Sequence, residues 1–278
     1  MEKRIYITQS LLKNLYDYRN GDECGLVFQK KFIDGSFNLF PPSEVQNIGA
    51  WFEYEATGSV PKNGEIPKPS YVKKGEMTAG YKKMMAHIGH FKTFISYYGI
   101  KILEKGFDIE INGMKGTLDL LCEATKDIVD KNGNIQVSKG EMFIIDIKTT
   151  GLLDDKWNPY GWNLETLHNK HKIILQPIHY RFIAELKYGK RLPFMFLLFS
   201  NTNENDYRAF FFDISDEDIE YHKEFIVKSA KWLKYYISNG FEAKPDVLRC
   251  AECPIKIGCK HYLVVPKIDY FLLTNPNN

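Results

Sequence analysis

Gly116-Thr117-Leu118-Asp119 and, after a polar interval, Phe143-Ile144-Ile145-Asp146-Ile147-Lys148-Thr149-Thr150 decide how this chain is read. Both stretches are apolar, and both carry an acid where a buried strand should carry none. Residues 143–148 are β-branched and bounded by turn residues, which predicts a strand. Alternation then places Asp146 and Lys148 on one face and Ile145 and Ile147 on the other. If the strand carrying Leu118-Asp119-Leu120 pairs alongside, Asp119 joins them. Two carboxylates and an ammonium would meet at one point. Clustered hard oxygens suit Mg²⁺ or Mn²⁺. A lysine beside the metal can orient or help deprotonate a water, and such a group can hydrolyse a phosphodiester.

The tripeptide acid-x-Lys carries little by itself. It recurs at Asp154-Asp155-Lys156, Glu185-Leu186-Lys187 and Glu242-Ala243-Lys244, where solvated charges account for it. The copy at 146–148 differs because it lies in an apolar strand with a second strand-borne acid upstream. The competing reading is a structural ion pair, but burying that many charges without a ligand is costly.

Outward from this centre, the chain alternates helical and extended patterns. Helices are predicted over residues 8–19, from Ser43 to Thr57, over 76–98, over 164–188 and over 215–240. Strands are predicted over 101–111 and 117–122, joined by the turn signal Asn112-Gly113, and over 194–199 and 208–213. Residues 126–140 read as a surface insertion, with a turn at Lys131-Asn132-Gly133-Asn134. Residues 58–75 read as a loop whose lysines, among them Lys62, Lys68, Lys73 and Lys74, could meet a phosphate backbone. A second loop, 149–163, carries Trp157, Tyr160 and Trp162, which either stack on unpaired bases or anchor the loop. Pro177 interrupts the helix at 164–188, so a restart near Leu175 is expected, placing the proline in a first turn. His87, His90 and His179 are given no role.

Three sequence elements in order resemble the RecB-like branch of the PD-(D/E)XK nucleases. They are Gly116-Thr117-Leu118-Asp119, then Asp146-Ile147-Lys148, then Gln176-Pro177-Ile178-His179-Tyr180. The resemblance implies an α/β, restriction-endonuclease-like core with a mixed central sheet flanked by helices. It implies a metal held by Asp119, Asp146 and the Ile147 carbonyl. It implies Lys148 acting on the water, with Gln176 and Tyr180 supporting Lys148 or substrate. In relatives, Gly followed four residues later by His or Glu adds a ligand, and Gly49-Ala50-Trp51-Phe52-Glu53 fits the Glu version. A solvated helix carboxylate is the alternative for Glu53, while Glu55, two residues along the helix, points elsewhere.

Cys250-x2-Cys253-x5-Cys259 is a dense run of thiols. Iron–sulfur clusters and zinc both want four ligands, and Cys24 is a candidate fourth. Cys24 with this trio resembles the iron–sulfur staple of AddB-type helicase–nuclease subunits and CRISPR-associated adaptation nucleases. The resemblance implies a 4Fe-4S cluster joining the terminal segments, 1–40 and 241–278, around a nuclease core at 41–240 in a single domain spanning 1–278. The alternative is Zn²⁺ on Cys250, Cys253, Cys259 and His261. Cys122, inside a predicted strand, reads as core.

Composition narrows the partners less. The 278 residues have a net charge of +2 and 44% hydrophobic content, so nucleic acid is not announced globally and a binding surface must be local. Five cysteines, three of them crowded together, favour a metal site in a reducing compartment over a disulfide framework. The N-terminus lacks the apolar run of a secretory signal, and no stretch is long and apolar enough to span a membrane. Taken with the motifs and the resemblance, the expectation is a cytoplasmic, metal-dependent DNA nuclease of exonuclease type acting on DNA that is single-stranded or has a free end, with a helicase or recombination partner. The alternatives are a non-cleaving DNA-binding or recombination partner and a metal-stapled scaffold.

Overall fold

The apolar periodicities become elements close to their predicted bounds. The computed structural model describes residues 4–36, 40–61, 64–73, 75–150, 153, 157–158, 161–162 and 167–263. In chain order the elements are β1 (Ile7–Thr8), α1 (Gln9–Asn20) and α2 (Gly25–Phe28), which runs into a π-helical turn at Gln29–Ile33. Then come α3 (Glu44–Thr57), α4 (Ala79–Tyr97), β2 (Ile100–Ile111), β3 (Met114–Ala124), β4 (Ile128–Val129), β5 (Ile135–Val137) and β6 (Met142–Thr150). They are followed by β7 (Trp157–Asn158), β8 (Gly161–Trp162), α5 (Leu167–Tyr188), β9 (Phe194–Ser200), β10 (Tyr207–Phe211), α6 (Asp216–Asn239) and α7 (Val247–Ala251). The chain divides into two compact units, one of residues 1–13 and 42–232, the other of residues 14–41 and 233–278.

The larger unit is built on a mixed six-stranded sheet. Its order is β1-β3-β6-β9-β10, with β2 on the other edge of β3. β6 runs parallel to β9 and antiparallel to β3. β2 and β3 form the hairpin that Asn112-Gly113 predicts, and Asn112 takes a positive φ of 50° there. On one sheet face, Trp51 and Phe52 of α3 and Tyr81, Met84, Phe91 and Phe94 of α4 pack on Leu120, Phe143, Ile145, Ile147 and Phe199. On the other, Ile178, Phe182 and Ile183 of α5 and Ile219 of α6 pack on Leu118, Ile144, Phe194 and Leu198. Burying each such side chain contributes roughly 1.5–3 kcal/mol before the cost of ordering it. Ser43 opens α3 with a reciprocal cap: its hydroxyl accepts from Gln46 N–H, and the Gln46 amide oxygen accepts from Ser43 N–H at 2.8 Å.

Two sequence expectations are corrected. Residues 126–140 are not merely a surface insertion, because β4 and β5 pair and bury Ile128 and Val137 in the core. Pro177 does not open a restarted helix but lies inside the continuous α5. Of the loop aromatics, Tyr160 lies outside the described residues, and only the backbone of Trp157 and Trp162 is described; Lys62 and Lys74 are likewise outside them.

The smaller unit joins an early segment to a late one. The Glu242 amide donates to the Tyr18 hydroxyl at 3.0 Å, and Gly25 N–H donates to the Glu242 carbonyl at 3.1 Å. The Lys244 ammonium reaches the Tyr18 carbonyl at 2.7 Å, and Arg249 donates to the Gly21 carbonyl. Tyr18, Phe28, Tyr236 and Phe241 form an aromatic cluster beneath these bonds. Among the described residues, no helix is long and apolar enough to cross a membrane.

Candidate active site

β3 and β6 stay hydrogen-bonded down to the pair Leu120–Ile145. One step beyond stand Asp119 and Asp146. There the Asp119 carboxylate takes over from the ladder, accepting the Ile147 amide at 2.7 Å through Oδ2. Alternation along β6 turns Ile145 and Ile147 into the α3/α4 core and Asp146 and Lys148 toward the α5 face, as predicted. Asp146 is 1% exposed. Its Oδ1 accepts from Gln176 Nε2 at 2.7 Å. Its Oδ2 is enclosed and forms an ion pair with the Lys148 ammonium. That ammonium also sits 5.7 Å from the centre of the Phe196 ring.

Glu53 joins the group from α3. Burial, and then the charge of Asp119, push its carboxyl up to about 8, with Asp146 adding to the rise; Lys148 and a hydrogen bond from Ser59 act against it. Burial and the Asp119 charge raise Asp146 to about 7. Asp119 is raised too, by burial, against the pull of Lys148 and the Ile147 amide. Burial alone would lower the Lys148 ammonium, but Asp146 and Asp119 outweigh it and hold it charged. Burial raises the Tyr180 phenol, the charge of Asp146 adds to the rise, and Gln176 hydrogen-bonds to it. Glu55, by contrast, is exposed. The sequence-predicted set of Glu53, Asp119, Asp146, Lys148, Gln176 and Tyr180 is therefore one electrostatic neighbourhood. Three carboxylates face one ammonium, a formal charge of −2 when all are ionised.

The two motif glycines permit close approach. A methyl group at Gly116 would come within 2.6 Å of Ile183 Cδ1 and 3.0 Å of Tyr180 Cε1. One at Gly49 would come within 3.1 Å of Thr149 Oγ1. Each glycine lets the helix bearing a site residue settle on the strand beneath. Sequence reasoning missed Ser59, since a serine just past a helix end carries no distinguishing pattern.

The smaller unit holds a cavity of about 270 Å³ whose lining includes Cys24, Cys250, Cys253, Cys259 and His261. Cys24 precedes the first turn of α2, and Asp246 caps α7, which carries Cys250. Burial raises the Cys253 thiol, and the other three cysteines add to the rise. Cys122 lies apart, fully buried in the sheet core, with its thiol pushed up to about 12 by burial. Among the described residues, no three His, Cys, Asp or Glu side chains stand close enough together to grip a single ion.

The sequence matches no protein-family model and no curated protein. The fold is shared with the crystal structure of a "Putative exonuclease" from Eubacterium rectale, at a TM-score of 0.57 and 19% identity over 96% of this chain and 91% of that one. A more remote solved structure, SSO0001, is 10% identical over 95% of this chain and 90% of that one, with a TM-score of 0.37.

Proposed function

We propose that this chain is a Mg²⁺- or Mn²⁺-dependent deoxyribonuclease of the RecB-like PD-(D/E)XK type, acting as an exonuclease on DNA that is single-stranded or has a free end. One observation carries the reading: Asp119, Asp146 and Lys148 converge where β3 and β6 part, with Glu53 within their electrostatic reach. The name of the Eubacterium rectale protein, which shares the fold, agrees with it.

The donor chemistry, hard carboxylate and carbonyl oxygens, is that of a divalent cation. Burial holds the protons of all three carboxyls above the usual range, and the charge of Asp119 adds to the rise at Glu53 and Asp146, so a cation would offset the cost of ionising them. Glu53, Asp119, Asp146 and the Ile147 carbonyl would hold it. When bound, it would neutralise phosphate charge and acidify a water. The rest falls to the chain's own groups. Gln176 fixes one Asp146 oxygen, so the carboxylate presents its other oxygen in a set direction. Asp119 is fixed in the same way by the Ile147 amide. Lys148, kept charged by both acids, orients the attacking water or the phosphate with its N–H groups. Tyr180, neutral beside Gln176, lines that approach.

In the smaller unit, the all-thiolate set of Cys24, Cys250, Cys253 and Cys259 around one cavity supports a 4Fe-4S cluster in a structural role. Zinc on Cys250, Cys253, Cys259 and His261 is the alternative, since His261 lines the same cavity. A helicase or recombination protein is the expected partner.

End-labelled single- and double-stranded DNA incubated with Mn²⁺, Mg²⁺ or EDTA tests the reading. Cleavage that requires the cation and disappears in Asp146→Ala and Lys148→Ala is expected. Undiminished cleavage by Asp146→Ala would overturn the assignment. Cation-dependent DNA binding with no cleavage by the parent would instead mark a non-cleaving recombination partner.

A further inference from the structure

Pro177 sits in the interior of α5, one residue after Gln176. It supplies no amide to the carbonyl four residues earlier and crowds it, at a cost of about 3 kcal/mol. The helix must be held there by something outside its own ladder. Polar anchors gather on that stretch. Gln176 binds Asp146, His179 binds two partners, and Arg181 donates to the Ile214 carbonyl.

His179 and His222, on α5 and α6, are 0% and 2% exposed. His179 Nε2 lies 3.3 Å from the carbonyl of Lys115 on β3. A carbonyl only accepts, so that nitrogen carries the hydrogen. Burial lowers His179 to about 4, so the ring is neutral and its Nδ1 is an acceptor. His222 Nε2, 3.1 Å from that Nδ1, must therefore be the donor. The chain of bonds runs from α6 to α5 to β3. It ends at the residue next to Gly116, where an added methyl group would meet the Tyr180 ring.

We infer that His179 and His222 are positioning residues for the Asp146 centre: their hydrogen-bonded relay pins α5 to β3 beside Pro177 and so fixes where Gln176 and Tyr180 stand. The inference rests on the nuclease reading for its kinetic consequence, but not for its structural one. An apolar pair of the same size would fill the space. It would not set the axial position of α5 against the Lys115 carbonyl.

Two variants separate position from packing. His222→Gln keeps an N–H donor for His179; His222→Leu removes it and leaves Nδ1 buried without a partner. In His222→Leu, kcat for Mn²⁺-supported cleavage should fall by about tenfold or more while KM changes by less than about twofold, with most of kcat restored in His222→Gln. Parental kcat in His222→Leu would overturn the inference, and so would equal losses in the two variants. A readout independent of cleavage is the side-chain amide resonance of Gln176. It should move toward its free value in His222→Leu and stay in place in His222→Gln. A parent that cleaves nothing sinks the nuclease reading alone, whereas an unmoved Gln176 resonance in His222→Leu sinks the relay.

Discussion

The Ile147 amide donates to Asp119 Oδ2 at 2.7 Å, so a side chain from β3 completes the pairing of β6 where the two backbones part. The bond sets Asp119 and fills an amide that the ladder abandons. On the proposed function, Asp119 would have two separable duties, one for structure and one for chemistry.

Asp119→Asn keeps an acceptor for Ile147 but removes a charge. It should unfold at nearly the parental temperature and lose cation-dependent cleavage by about a thousandfold. Asp119→Ala should lose cleavage equally and in addition about 1 kcal/mol of stability, because the amide is left unmet. Thermal melts alongside end-labelled DNA assays distinguish the two. Equal stabilities would show that the bond contributes nothing.

Glu53 and Asp146, raised to about 8 and about 7, bind protons more tightly folded than unfolded. Between about pH 4 and pH 8 the native state therefore holds more protons, and stability falls as pH rises. In EDTA, the melting temperature should climb as pH drops from above 8 toward 5. Mn²⁺ should raise it most at the alkaline end and flatten the curve. A cation-free protein that becomes less stable from pH 8 to 6 would contradict the raising of these carboxyls by burial and by the charge of Asp119.

Gly116→Ala places a methyl group against Ile183 and Tyr180. Overpacking of this kind costs about 1–3 kcal/mol, relieved by shifting the Ile183 and Tyr180 side chains and with them α5. Activity should fall further than the loss of stability explains, since α5 carries Gln176 and Tyr180. Denaturant melts and kcat measured on the folded fraction would check this.

Anaerobically purified protein should be brown and contain about four iron atoms per chain. Serine at Cys24, Cys250, Cys253 or Cys259 should remove the colour, while Cys122→Ala should keep it. A colourless protein with about one zinc ion would select the His261 alternative.

The centre was legible because its signal is local. Period-two alternation places Asp146 and Lys148 together whatever surrounds the strand, and Asn112-Gly113 announces the hairpin that brings β3 back. What stayed hidden depends on tertiary contacts. Pro177 was expected to start a helix because proline breaks isolated ones. Its tolerance depends on anchors from β3, β6 and α6 that no window of α5 contains. His179 looked idle for the same reason: its partners, Lys115 and His222, lie 64 and 43 residues away. The insertion at 126–140 appeared solvated, since only the pairing of β4 with β5 turns Ile128 and Val137 inward.

Cys122 has one more bearing on the molecule. Sealed in the sheet with a thiol that ionises only near pH 12, it is inert to alkylating reagents while the native fold persists. The other four cysteines are all partly exposed. In protein stripped of metal, maleimide uptake under native conditions therefore counts only the thiols of the small unit, and the sheet cysteine becomes a built-in reporter of global unfolding.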